Sequence, residues 1–176
     1  QAGRRRDHIM SRWRDGGPAS DGPAVVVDDE RESGMSDHVV EVDRWTSLVT
    51  DVLADEGLSG RPVEVHVHFV DESAIEDLNR EYMGGSGPTD VLAFPVDDPA
   101  MVPDGIPVLL GDVVVCPSVA ARQAPTHAGD FDSEISLLIV HGVLHLLGYD
   151  HAEPVEAEAM QAREREHLAR YGLVRP

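Results

Sequence analysis

The sequence has no lysine and only one cysteine, and both shortages narrow the classes of protein to which it can belong. All 14 basic residues are arginines, against 33 aspartates and glutamates, so the formal net charge is −19. Such a charge argues against a protein that coats nucleic acid non-specifically, because that binding depends on neutralising phosphates. The lone Cys116 excludes an internal disulfide and favours a reducing compartment.

Long apolar runs are also missing. No segment approaches the roughly 20 apolar residues of a membrane-spanning helix, and the arginines at positions 4–6 are not followed by the apolar stretch of a secretory signal. We therefore expect a cytoplasmic protein without a membrane partner. The length of 176 residues suits a single domain, which we place at 23–176. Residues 1–22 show no hydrophobic period, and we predict that they form a disordered tail.

Hydrophobic patterning predicts an α+β fold, with a small mixed sheet of four strands and about five helices packed against it. The strands are expected near 24–28, 63–69, 89–94 and 109–116. In the second strand the side chains alternate strictly, and we interpret Glu64, His66 and His68 as its polar face, with no third partner for a metal site.

Two helices close the chain. Asp132 or Ser133 is expected to cap the first of them, which continues to about Leu147. The second is expected to begin at Pro154 and to end near Gly172. Its alternating glutamates and arginines at 156–166 favour a solvated helix face with pairing between residues four apart.

The end of the first of these helices and the turn after it contain three histidines in the spacing H-x3-H-x5-H. His141 and His145 share one face of a helix, about 6 Å apart along its axis, and Gly148 permits a turn that returns His151 to the same point. Three imidazoles leave the fourth position of a tetrahedral zinc open for water, whose pKa the metal lowers to about 7. We therefore predict a hydrolase with one Zn²⁺ per chain, bound by these three histidines, and with the zinc-bound water as nucleophile.

The same spacing matches the metalloprotease pattern H-E-x-x-H-x-x-G-x-x-H with one departure. Gly142 stands where a protease has the glutamate that serves as general base, and glycine cannot transfer a proton. The scaffold is thus expected to be zincin-like. A peptidase, or another zinc hydrolase, is the alternative that this pattern leaves open.

Three blocks of the sequence resemble the YbeY family of bacterial endoribonucleases. The letters HGVLHLLGYDH at 141–151 look like the family signature. LNREY at 78–82, followed by GPTDVLAFP at 87–95, is similar to the family's L-N-x-x-Y…P-T-D-V-L-S-F-P, and LGDVVVC at 110–116 resembles its L-G-D-I-V-I-C. The resemblance extends over about 24–173.

This resemblance implies a zincin-like fold, zinc on the three histidines, and single-stranded RNA as the substrate. It further implies a role in maturing the 3′ end of small-subunit (16S) ribosomal RNA and in ribosome quality control, with the small ribosomal subunit as a partner. An alternative of another class is a ribosome-assembly factor with a structural zinc. Three ligands and an open position favour an enzyme.

One departure from the family pattern concerns RNA binding. Many members have an arginine directly after the tyrosine of L-N-x-x-Y, where this chain has Met83, which cannot pair with phosphate. Our candidates for that contact are Arg80 first, and then Arg61 and Arg122. Thr89 is a further candidate for the substrate groove.

The sequence identifies no general acid or base. Asp90, which precedes an apolar strand, could line the metal groove, and Asp150 could orient a zinc-bound imidazole. A turn-forming role is the alternative for each of these aspartates.

Overall fold

The computed structural model describes residues 22–32 and 38–176. Apart from Gly22, the predicted disordered tail therefore lies outside the described residues. In chain order the elements are β1 (Ala24–Asp29), α1 (Val42–Asp55), β2 (Val63–Phe69), α2 (Glu72–Met83), β3 (Val91–Pro95), β4 (Val108–Val115), α3 (Pro117–Gln123), α4 (Phe131–Leu146) and α5 (Pro154–Ala169), with short 3₁₀ helices at Pro99–Met101 and Ala124–Thr126. The described part thus has four strands and five α-helices, which confirms the predicted α+β class.

The strands form one mixed sheet in the order β1-β2-β4-β3. β1 and β4 both run parallel to β2, whereas β3 pairs antiparallel with β4 and lies at the edge. α1 packs on β1, α4 packs on β3 and β4, and α5 packs against α4. None of the helices in the described ranges has the length and apolar character needed to cross a membrane.

The two faces of the sheet bury different sets of side chains. The main core lies between the sheet and the helices α1 and α4, and its fully buried members include Trp45, Leu53, Phe69, Ile139 and Leu144. A smaller apolar cluster on the opposite face forms where α2 meets β3 and β4, and it contains Val70, Ile75, Leu92, Val114 and Cys116. Burial of both faces explains why four short strands are stably paired.

A bulge in β4 changes which of its residues face the main core. Before the bulge Val108 and Leu110 are buried in that core, and after it Val113 and Val115 are. The residues that face the core therefore have even numbers before the bulge and odd numbers after it, as expected where one extra residue is inserted into a strand. As a result Asp112 faces away from α4.

Gly111 makes this bulge sterically feasible. The register with β2 skips Leu110, so that Val65 pairs with Gly111 directly. Gly111 has a φ of +135°, and a Cβ there would lie 2.1 Å from the carbonyl oxygen of Phe94. No residue with a side chain fits at this position without moving a backbone.

The start of α4 differs from the prediction. The helix is capped by Asp130, whose carboxylate accepts hydrogen bonds from the backbone N–H and the hydroxyl of Ser133. Asp132 and Ser133 themselves lie in the first turn. Pairing of a cap carboxylate with the third helical residue is the geometry that the N-cap position favours, so the cap lies two residues before Asp132 and three before Ser133.

Candidate active site

The three predicted zinc ligands meet at the C-terminal end of α4. His141 and His145 are one helical turn apart, and the turn at Gly148, whose φ is +98°, brings His151 back toward them. Their ligand nitrogens all lie within 4.8 Å of one another. The Nε2 atoms of His141 and His145 are 3.1 Å apart, and two nitrogens bound to one tetrahedral zinc are about 3.4 Å apart. The site therefore fits a single zinc ion.

A buried carboxylate from α5 fixes the orientation of His141. Oε1 of Glu164 lies 2.6 Å from Nδ1 of His141, and Arg175 donates to Oε2. Burial alone raises the pKa of Glu164, but the hydrogen bonds with His141 and Arg175 outweigh it and lower the pKa below its ordinary value. Because an ionised carboxylate can only accept, Nδ1 is the donor in this hydrogen bond, and Nε2 is the nitrogen that is placed to coordinate a metal.

Glu164 is a residue that the sequence interpretation missed. The structure shows that it is 1% exposed, which corrects the prediction of a solvated face over 156–166. Met160 and Leu168 are equally buried and lie one turn on either side of it. The available signal was this spacing, since a glutamate between two apolar residues at i−4 and i+4 lies on the buried face.

His145 is held in the neutral form that binds metals. Burial is the largest cause lowering its pKa, and electrostatic repulsion by His141 and His151 lowers it further. At neutral pH the ring therefore offers a lone pair rather than a second proton.

The three histidines line an open groove of about 330 Å³ between α4 and the edge strand β3. Its other lining residues are Met83, Val91, Leu92, Ala93, Pro95, Gly142 and Asp150. The wall formed by β3 is thus largely apolar. His151, which belongs to the opposite wall, is exposed. Among the described residues that line the groove there is no arginine.

Comparison with known proteins identifies the family to which this fold and this site belong. The family model described as "Endoribonuclease YbeY" matches residues 30–172. The chain belongs to this family.

Several relatives with the same name support the assignment. The protein from Frankia casuarinae is 47% identical over 145 residues, covering 78% of this chain and 70% of the relative. That from Salinispora tropica is 41% identical over 159 residues, covering 86% and 99%. A solution structure of a Thermotoga maritima protein is similar in fold, with a TM-score of 0.53, 24% identity and coverage of 85% of this chain and 92% of that one.

The two candidate aspartates differ in their position relative to the groove. Asp150 lines it, and its Oδ1 accepts a hydrogen bond of 2.7 Å from the backbone N–H of His151. Asp90 is not among the lining residues. Its Oδ2 accepts from Nε2 of Gln123 at 2.8 Å, and its Oδ1 accepts from the hydroxyl of Thr89 at 3.4 Å. Asp90 thus ties the start of β3 to the neighbouring α3, and Thr89 donates to Asp90.

The three candidate arginines also lie outside the groove lining. Arg80 pairs with Asp77 on its own helix, and Arg122 pairs with Glu72. Both guanidinium groups are more than half exposed. Arg61 instead donates to two backbone carbonyl groups in the 99–102 loop, and its Nε is buried. Its contacts are those of a residue that holds a loop.

Gly142 is required by the packing of α4 on the sheet. A Cβ at this position would lie 2.5 Å from Cγ1 of Val113 in β4. A glutamate, which a peptidase of this pattern needs as its base, could enter only if the side chain of Val113 or the strand itself moved. The close approach of helix and strand thus gives a physical reason for the glycine and disfavours the peptidase alternative.

A second group of potential metal ligands lies on the other face of the sheet, where the sequence interpretation expected a solvent-facing strand surface. His66 and His68 are only 7% and 4% exposed, and Asp112 of β4 is their third partner. The prediction that these histidines lack a third partner is therefore wrong. Asp112 was missed because the bulge in β4 changes the face of the sheet to which its side chain points.

Proposed function

We propose that this chain is a zinc-dependent endoribonuclease that cleaves single-stranded RNA, with zinc held by His141, His145 and His151. The observation that carries the proposal is the convergence of three imidazoles in an open groove, one of them oriented by a buried carboxylate. Bound zinc supplies the Lewis acidity that makes water nucleophilic at neutral pH. Structural zinc sites are usually closed by four protein ligands, whereas the described residues offer three at this groove.

The side chains of the chain itself prepare the site. Glu164 holds Nδ1 of His141 and so directs Nε2 toward the other histidines, and burial lowers the pKa of His145. The apolar wall formed by β3 excludes water from one side of the reacting phosphate, which strengthens electrostatic interactions there.

Hydrolysis of a phosphodiester also needs a group that accepts the proton of the attacking water. Asp150 is the carboxylate that lines the groove beside the histidines, and we assign this proton transfer to it. Asp90, with both its oxygens already hydrogen-bonded, instead positions the strand that forms the apolar wall.

Outside the groove, exposed arginines are the residues that we expect to contact the RNA. Repulsion by the net charge of −19 is screened beyond about 8 Å at physiological ionic strength, so local groups decide binding. We retain Arg80 and Arg122 as candidates because their guanidinium groups are exposed. The contacts of Arg61 and Thr89 favour structural roles.

We further propose that the substrate is ribosomal RNA, at the 3′ end of the small-subunit 16S species, and that the enzyme acts on small ribosomal subunits in the cytoplasm. Membership in the endoribonuclease family supports this assignment. Incubation with subunits that carry an unprocessed 3′ end should shorten that RNA; an unchanged end would contradict this choice of substrate.

The decisive test is cleavage of a labelled single-stranded RNA by the zinc-loaded chain. We expect slow internal cleavage that is lost in the His141→Ala/His145→Ala variant and retained in His38→Gln, which removes an imidazole outside both histidine clusters. A DNA strand of the same sequence and an unstructured protein serve as parallel substrates. Zinc-dependent cleavage of the protein alone would indicate a peptidase. Binding of small subunits without cleavage of any RNA would indicate an assembly factor.

A further inference from the structure

The cluster formed by His66, His68 and Asp112 lies on the face of the sheet opposite the groove. We propose that it is a second metal site, for a divalent first-row transition ion such as Zn²⁺. It would raise the capacity of the chain to two ions, one more than the single zinc predicted from the histidine motif.

The geometry of the cluster is that of a ligand set. One potential ligand atom from each residue lies within 4.8 Å of the others. Nε2 of His68 and Oδ1 of Asp112 are 2.7 Å apart, and both side chains are only 5% exposed. Two imidazoles and a carboxylate suit zinc and its neighbours in the first transition row, whereas calcium and magnesium prefer oxygen ligands throughout.

The sheet itself positions these side chains rigidly. His66 and His68 are two residues apart on β2 and therefore point to the same face, and their rings are inclined by only 16°. Asp112 is the register partner of His66 on the parallel neighbour β4. Sites built on paired strands are held more precisely than sites on loops.

Each histidine also has an outer carboxylate. Oε2 of Glu30 lies 3.2 Å from Nδ1 of His68, and Oε1 of Glu64 lies 3.0 Å from Nε2 of His66. Metal-binding imidazoles usually have such a partner on the nitrogen that does not face the ion. Together with Asp112, these residues place three carboxylates around two imidazoles, and a divalent cation compensates this local negative charge.

The competing explanation is an ion pair without a metal. Burial lowers the pKa of His68, but its hydrogen bonds with Asp112 and Glu30 raise it overall to about 9. In the absence of a metal this imidazole is protonated between two carboxylates. The two explanations differ in the number of ions that the chain binds.

The two sites are separated by β4. Val113 faces α4 and would contact any side chain at Gly142, whereas Asp112 faces the opposite side. Substitutions at one site therefore leave the ligands of the other in place, and the two stoichiometries can be measured independently.

The experiment is equilibrium dialysis of the metal-free full chain against Zn²⁺ at pH 7, followed by elemental analysis. We expect two ions in the unmodified chain, one in His141→Ala/His145→Ala, and one in His68→Gln/Asp112→Asn. The His38→Gln control should keep two. Glutamine and asparagine retain hydrogen-bonding capacity, and circular dichroism checks that each variant is folded.

The proposal is overturned by a single ion in the unmodified chain, by loss of all zinc in His141→Ala/His145→Ala, or by two ions in His68→Gln/Asp112→Asn. If the last variant does not fold, the first two measurements still decide, because both use chains with an intact second cluster. Absorption by Co²⁺ provides a second readout, and His141→Ala/His145→Ala should retain a d–d spectrum from one bound ion.

Discussion

Nδ1 of His141 on α4 lies 2.6 Å from Oε1 of Glu164 on α5. A residue on the last helix therefore determines which nitrogen of a proposed zinc ligand is free to coordinate. The link also joins α5 to the rest of the site, because the same carboxylate accepts a hydrogen bond from Arg175.

Replacing Glu164 by glutamine should weaken zinc binding at the triad without removing a ligand. We expect a loss of about 10- to 100-fold in affinity, the usual effect of removing a carboxylate that orients a metal-bound imidazole. Competition with a chelating dye measures this affinity, in the His68→Gln/Asp112→Asn background so that only the triad binds zinc. Glu158→Gln is the matched control, since Glu158 is exposed on the same helix. Equal affinities in the two variants would show that Glu164 has no positioning role.

Adding a single methyl group at Gly142 should destabilise the fold. The Cβ would lie 2.5 Å from Cγ1 of Val113, and such overpacking costs about 1–3 kcal/mol. Urea denaturation gives the change in the free energy of unfolding. Gly60→Ala is the control, because a Cβ there meets nothing within 4 Å.

The clash at Gly142 can be verified by a double substitution. In a Val113→Ala background, Gly142→Ala should cost less than it does alone, because the neighbour that it meets has been shortened. If the costs of Gly142→Ala and Val113→Ala simply add, the strain at position 142 does not come from Val113. Gly142→Glu should confer no peptidase activity, and a gain of proteolysis would contradict the steric argument.

Introducing an arginine at Met83 should strengthen RNA binding, since Met83 lines the groove and is half exposed. One added phosphate contact on a single strand steepens the dependence of log K on log salt by about 0.7. A fluorescence titration of labelled RNA at several salt concentrations measures both effects. Met101→Arg adds the same charge at an exposed position outside the groove lining. An equal gain in both variants would indicate a non-specific charge effect.

Stability at acid pH should depend on Glu56, which ties the end of α1 to α5. Burial raises its pKa, but hydrogen bonds from His167 and Arg163 outweigh this and lower the pKa overall. A carboxyl whose pKa is lower in the folded state contributes stability that is present above its unfolded pKa and is lost as the pH falls through the folded one.

The Glu56 contribution should therefore be complete at neutral pH and disappear below about pH 4.5, the range in which a free glutamate titrates. Glu56→Gln should melt at a lower temperature at pH 7 and show a smaller further loss on acidification than the unmodified chain. Glu81→Gln, at an exposed position, is the control. Identical melting profiles from pH 3 to 7 would exclude this role for Glu56.

Features that depend on local sequence patterns could be predicted, whereas contacts between residues far apart in the chain could not. The four strands and the grouping of His141, His145 and His151 depend on periodicity within short segments, which a sequence displays directly. Glu164 and Asp112 reach their partners through tertiary packing, and neither is close to its partner in the chain. Periodicity can indicate that such a residue is buried, but it cannot say which histidine it meets.

The bulge at Gly111 also constrains how this stretch can change in length during evolution. Deleting Gly111 together with the bulge would restore simple alternation along β4 and leave Asp112 and Val113 on their present faces. Inserting one residue between Gly111 and Asp112 would instead turn the carboxylate of Asp112 into the apolar core beneath α4 and Val113 out of it. An uncompensated buried charge of that kind costs several kcal/mol, comparable with the whole stability of a domain. A one-residue insertion between Gly111 and Asp112 is therefore not tolerated, whereas the loss of Gly111 together with the bulge preserves the faces of β4.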